Sequence, residues 1–152
     1  MNSDIMVRQA VFEDVSRLAE IEKICFSEPW SEAVFKEFLE RNGSIVLAAA
    51  SEGTVVGYVT GAYVLDGADI YNIAVAADCR RKGVGDALLR EFFEVLPADV
   101  KTVGLEVRES NGAAISMYRK NGFETVGMRK NFYISPRENA VLMTKQLTDE
   151  SV

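Results

Sequence analysis

The sequence predicts an α/β (α+β) domain: a mixed, mainly antiparallel sheet of about seven strands flanked by about four helices, over residues 1–152 as one domain. Three observations lead there. Segments of alternating apolar pattern and segments of helical spacing are interleaved along the chain, not sorted into halves. No linker, internal repeat or low-complexity stretch divides them, and 152 residues suit one hydrophobic core. Finally, the apolar run Ile73-Ala74-Val75-Ala76 passes through a basic, glycine-bearing loop into an apolar helix.

In chain order, residues 5–10 read as a first strand. Residues 14–24 form an amphipathic helix with Val15, Leu18, Ile21 and either Ile24 or Cys25 on one stripe. Pro29 pushes Glu28 out of helical geometry and separates this helix from the next. Ser31, ahead of Val34-Phe35 and Phe38-Leu39, starts the second helix, and Asn42-Gly43 ends it. Residues 44–50 and 54–63 are strands joined by a tight turn at Glu52-Gly53. Asp66-Gly67 marks the next turn, before a strand over 69–76.

The third helix is expected over 84–96, closed by Pro97. Over 100–108, Val103, Leu105 and Val107 share one face of a strand, and Gly104, Glu106 and Arg108 the other. Ser110 or Asn111 can cap the fourth helix, which Asn121-Gly122 ends. Residues 123–128 and 138–147 are the last strands, with a loop near Ser135-Pro136-Arg137 and a frayed tail over 148–152.

Composition narrows the chemistry. There is no histidine, which removes Ser–His and Cys–His catalysis and most zinc sites; no metal is expected. Cys25 and Cys79 suggest no disulfide framework and are read as structural, although the cations near Cys79 favour a lowered thiol pKa. A net charge of −6 disfavours nucleic acid as a partner and suits a cationic acceptor such as an amine. No apolar run approaches the roughly 20 residues that span a membrane. Met1-Asn2-Ser3-Asp4 has no basic region followed by an apolar one, so a cytoplasmic address is expected.

The loop Arg80-Arg81-Lys82-Gly83-Val84-Gly85 opens a helix. A helix N-terminus presents unpaired N–H groups and partial positive charge, a natural seat for phosphate. Gly83 and Gly85 allow close backbone approach. The loop lacks the Walker pattern, and Leu88 stands where a dinucleotide fingerprint needs its third glycine. On the loop alone, an anion site and an ordinary strand–helix turn stand level.

The pattern R-x-x-G-x-G before an apolar helix resembles the acetyl-CoA loop of the GNAT N-acetyltransferase superfamily. The later run Leu105-Glu106-Val107-Arg108-Glu109-Ser110-Asn111, then Ala114-Ile115, Tyr118 and Gly122-Phe123, resembles the late half of those enzymes. Pro29-Trp30-Ser31, Tyr71-Asn72-Ile73-Ala74-Val75 and Arg129-Lys130-Asn131-Phe132-Tyr133 are similar to the bacterial ribosomal-protein-alanine N-acetyltransferases.

The resemblance implies acetyl-CoA as co-substrate and a protein N-terminus, that of a ribosomal protein, as acceptor. It implies that Ile73, Ala74 and Val75 hold the acetyl and pantetheine arm. Arg81, Lys82, Gly83, Val84, Gly85 and Asp86 would take the pyrophosphate, and Asn111 would bind the cofactor too. Asp86 departs from the neutral or basic residue common there, and is expected to point to solvent. Glu106 would be the general base and Tyr118 the general acid; Trp30 and Tyr133 would line the acceptor site.

The chemistry agrees. An α-amine has a pKa of about 7.7–8.0, so near neutrality it must lose a proton before it attacks a thioester. Glu106, off the apolar face of its strand, can accept that proton if partly buried or relayed by water. Tyr118 can give one to the departing thiolate.

Plainer readings stand beside these. Glu106 could be a solvated strand residue, Tyr118 and Trp30 core aromatics, Asn111 only a cap and Tyr133 an ordinary strand aromatic. The alternatives in function are a superfamily member acting on a small amine or a lysine side chain, and a silent acyl-CoA-binding module. Oligomeric state and acceptor preference are not encoded in any motif.

Overall fold

A computed structural model describes residues 5–147; the tail expected over 148–152 lies outside the described residues. The elements run β1 (Ile5–Gln9), α1 (Val15–Cys25), α2 (Glu32–Leu39), β2 (Ser44–Ser51), β3 (Thr54–Val64), β4 (Gly67–Val75), α3 (Val84–Val95), β5 (Thr102–Arg108), α4 (Gly112–Lys120), β6 (Glu124–Ile134) and β7 (Arg137–Gln146). The strands follow the order β1-β2-β3-β4-β5-β7-β6 in a 7-stranded sheet. β4 and β5 are parallel, while β1–β2, β2–β3, β5–β7 and β6–β7 are antiparallel, so the sheet is mixed and mainly antiparallel, as the sequence predicts.

The chain forms two compact units. One takes residues 5–62 with Asn72–Val95, the other Tyr63–Tyr71 with residues 96–147.

In the first unit β2 is buried along both faces from Ile45 to Ala49, because helices pack on it from both sides. Val46 and Ala48 join Val15, Leu18, Ile21, Phe35, Phe38 and Tyr58 in one cluster under α1 and α2. Each large apolar side chain of this cluster contributes about 1.5–3 kcal/mol by leaving water. Of the two residues that could complete the stripe of α1, Cys25 is the one: Ile24 is 73% exposed. Ser31 caps α2 as expected, its hydroxyl accepting from the Val34 amide at 3.2 Å. The helix stops at Leu39 rather than reaching Asn42, because the Glu40 and Arg41 amides turn to the Glu37 and Phe38 carbonyls in tighter turns.

Glu52 and Gly53 both adopt left-handed φ, 52° and 83°, the turn that matches the twist of a hairpin. Gly57 is required by close approach: a Cβ there would lie 2.9 Å from the Ala74 carbonyl oxygen and 3.1 Å from Val84 Cγ1. That absence lets the start of α3 settle on β3.

In the second unit β4 pairs with β5 over Gly67–Asp69 against Thr102–Gly104, and β5 continues along β7 to Arg108. Val103, Leu105 and Val107 are buried while Gly104, Glu106 and Arg108 are partly open, which is the alternation the sequence predicts. The turn before β4 is Leu65-Asp66, one residue earlier than expected, with Leu65 at φ 56°. The β6–β7 hairpin is longer than expected: β6 runs on through Arg129–Ile134 by absorbing a bulge between Arg129 and Tyr133. Asn131 takes φ 54° in that bulge, and its amide donates to Asn139 Oδ1 at 2.9 Å.

Candidate active site

The basic loop is in the first unit. A short 3-10 turn, Ala77–Cys79, leads into it, and Arg81 and Gly83 have φ 65° and 85°. The Ala87 amide bonds the Gly83 carbonyl at 3.0 Å, so Gly83 caps α3 and the amides of Val84, Gly85 and Asp86 form its first turn. Arg81, Lys82 and Gly83 are exposed, whereas Asp86 is partly buried rather than turned fully to solvent. Gly83, the first-turn amides and two exposed cations fit a pyrophosphate; the Asp86 carboxylate opposes it. Burial, aided by the neighbouring Asp78, pushes the Cys79 thiol up, opposite to the expected lowering.

The strand before the loop is held from outside its ladder. Arg80 Nε donates to the Val75 carbonyl at 3.0 Å, and Arg80 Nη2 lies 3.3 Å from Cys25 Sγ. Ala74 is buried, and Ile73 and Val75 are partly so. Trp30 packs on Phe35 and Phe38 with ring centroids 5.3 and 5.1 Å away. It is partly exposed and, with Val34, Glu37, Phe38 and Arg41, lines an open depression of about 380 Å³. Trp30 is thus both a core aromatic and a wall.

Under Trp30 lies a charge that the sequence reading passed over. Glu22 is 1% exposed, in the middle of the apolar stripe of α1. Tyr58 Oη donates to Glu22 Oε1; Asn72 Nδ2 donates to both carboxylate oxygens, at 3.1 and 3.0 Å; the Trp30 amide donates to Oε2 at 3.0 Å. Burial pushes the Glu22 carboxyl above its ordinary value, against the pull of these donors. The available signal was position: Glu22 follows Leu18 by four residues, on the face that must be buried.

The second unit holds the predicted acid and base. Glu106 projects from the half-open face of β5, its side chain 32% exposed, and pairs with Arg129 Nε at 2.8 Å. Arg129 is 59% exposed, so solvent screens the pair and it is worth at most about 1 kcal/mol. Tyr118 is 5% exposed, packed edge-on against Phe123 at 5.6 Å. Burial raises its phenol, and Tyr133 adds to the effect. Burial also raises Tyr133, with Glu106 as its first electrostatic neighbour. The Arg108 guanidinium lies 4.3 Å from the centre of the Tyr133 ring and is itself fixed by Glu138 at 3.1 Å and by the Pro136 and Ser135 carbonyls.

Glu106, Tyr118 and Tyr133 therefore belong to one electrostatic cluster; Arg108, Arg129 and Glu138 complete it and were not foreseen. Asn111 is exposed and caps α4, its Oδ1 accepting from the Ala114 amide at 3.1 Å. Cofactor-loop residues and Trp30 lie in the first unit; Glu106, Asn111, Tyr118 and Tyr133 lie in the second. Among the described residues, no group of three or more acidic or cysteine side chains could hold a metal ion. None of the described helices is long and apolar enough to cross a membrane.

Comparison with known proteins gives these features their context. The sequence pattern of the acetyltransferase (GNAT) family matches residues 15–123. The [ribosomal protein bS18]-alanine N-acetyltransferase of Escherichia coli (strain K12) is 36% identical over 135 residues, 86% of this chain and 89% of that protein. The protein of the same name from Haemophilus influenzae is 37% identical over 134 residues, 86% of this chain and 90% of that one. The crystal structure of the ribosomal-protein-S18-alanine N-acetyltransferase from Escherichia coli superposes with a TM-score of 0.86 at 31% identity, over 97% of this chain and 98% of that one. With a family pattern spanning both units and relatives alike along nearly their whole length, this chain belongs to the acetyltransferase (GNAT) family.

Proposed function

We propose that this chain is a single-domain, acetyl-CoA-dependent N-acetyltransferase acting on a protein N-terminal α-amine, that of an N-terminal alanine on a small-subunit ribosomal protein. Transfer is direct, in a ternary complex. The observation that carries the reading is the second-unit cluster: a partly shielded carboxylate, Glu106, electrostatically linked through Tyr133 to a buried phenol, Tyr118. The names of the relatives supply the acceptor class, and a ribosomal acceptor puts the enzyme in the cytoplasm.

Acetyl-CoA supplies an activated acetyl thioester. Arg81, Lys82 and the amides of Gly83, Val84, Gly85 and Asp86 hold its pyrophosphate, Ile73, Ala74 and Val75 its pantetheine arm through backbone groups, and Asn111 a further part. Glu106, half-open on β5 and held by one screened ion pair, takes a proton from the acceptor ammonium. Tyr118 is held protonated by burial, so its proton is in place for the thiolate that departs as the C–S bond breaks. Trp30 and Tyr133 border the acceptor.

The test is acetyl-CoA turnover on three acceptors: a peptide with a free N-terminal alanine, its N-terminally blocked twin with an internal lysine, and a polyamine. Turnover confined to the free N-terminus is expected. Turnover of the other two moves the acceptor to lysine or small amines. Silence on all three with acetyl-CoA bound marks a binding module.

A further inference from the structure

We infer that Glu22 is a positioning residue for the acceptor: its buried carboxylate fixes the Trp30 segment to the Asn72 end of β4, and so sets where the acceptor's N-terminus is presented. The inference rests on the proposed N-terminal acetylation and deepens it. It is argued within the first unit alone.

Four hydrogen bonds from three donor groups converge on one carboxylate: β3 through Tyr58, β4 through Asn72, and the segment between α1 and α2 through the Trp30 amide. Helix-on-sheet packing needs no such group, since the apolar stripe of α1 holds the helix to the sheet. A carboxylate adds direction. Its two oxygens set the separation of every segment that donates to them.

Asn72 is held at a second point, its amide donating to Thr60 Oγ1 at 3.1 Å, with Thr60 itself fully buried. The carboxylate is therefore referenced to the sheet on one side, and on the other it holds a backbone amide in a segment with neither helix nor strand, at exposed Glu28-Pro29 and partly exposed Trp30. That segment forms one wall of the open depression with Val34 and Arg41. Ile73, the next residue after Asn72, begins the backbone assigned to the acetyl arm. One buried charge thus fixes the distance from an acceptor wall to the strand that carries the acetyl group.

The experiment is steady-state kinetics of the full chain with acetyl-CoA and a peptide bearing a free N-terminal alanine, beside emission of Trp30, the only tryptophan in the sequence. Glu22→Gln keeps shape but turns an NH2 group toward the Trp30 and Asn72 donors. The peptide KM is expected to rise about tenfold with the acetyl-CoA KM held within about twofold, and Trp30 emission to move to longer wavelength. Glu22→Asp, which restores the charge one methylene short, should recover part of the peptide KM. Should Glu22→Gln fail to fold, Asn72→Ser carries the test; it removes both side-chain bonds to Glu22 and leaves the amide that meets Thr60. A folded variant with unchanged peptide KM overturns the inference, as does an equal rise in both KM values. Wild-type protein that turns over no free-N-terminus peptide overturns the proposed function, and this inference with it.

Discussion

Glu22 and Glu106 are carboxylates in two regions built on opposite terms. Around Glu22 the chain supplies three donor groups making four hydrogen bonds and excludes water; around Glu106 it supplies one exposed arginine and leaves about a third of the side chain open. A carboxylate whose lone pairs are committed to its own chain is a fixture. One held by a single screened ion pair can exchange that partner for an ammonium at little cost, since such pairs contribute at most about 1 kcal/mol. Accessibility and weak pairing, more than charge, separate a group able to react from a group that holds others in place.

The largest effect expected from breaking this contrast is at Glu106. Glu106→Gln should lower kcat by about 10²–10⁴-fold while leaving the melting temperature near wild type, read by turnover and thermal unfolding. Unaltered turnover across pH 6–9 would remove it as the base. Tyr118→Phe should lower kcat by about 10²-fold with little change in either KM, because only a proton donor is lost. Next comes the loop: Gly83→Val places a β-branched residue at φ 85°, a strain of about 1–3 kcal/mol, and should raise the acetyl-CoA KM about tenfold with the peptide KM unchanged.

The smallest effects sharpen the comparison by pH. Burial holds the folded Glu22 carboxyl above its unfolded value, so its contribution to stability is full below the ordinary carboxylate range and is lost as pH rises through the folded value. Asp14 is the reverse: Arg8, at 2.8 Å, lowers it, so its contribution is present above the unfolded value and lost as pH falls through the folded one. Melting curves across pH should therefore show wild type gaining on Glu22→Gln, and losing its margin over Arg8→Ala, as the solution is acidified.

What the sequence made legible was local. The alternation of Val103, Leu105 and Val107, the caps at Ser31 and Asn111, and the turn at Glu52-Gly53 each follow from a few neighbouring residues. The family resemblance brought out Glu106, Tyr118 and Tyr133, and the structure places these three in one cluster. The features not read were made by residues far apart in sequence. Arg129 reaches Glu106 only because β7 lies between β5 and β6, and Glu22 reads as a blemish on an apolar stripe until Tyr58 and Asn72 are brought to it. Cys79 departs from expectation because nearby cations alone predict a lowered thiol, whereas burial and Asp78 outweigh Lys82 and Arg17.

The Glu52-Gly53 turn has a use outside catalysis. Both residues are exposed, and a Cβ on Gly53 would meet nothing within 4 Å. The polypeptide can be reopened there: an epitope tag or a fluorescent probe spliced between β2 and β3 should be carried without disturbing either KM, giving a handle for following the enzyme in cells with both chain ends left native.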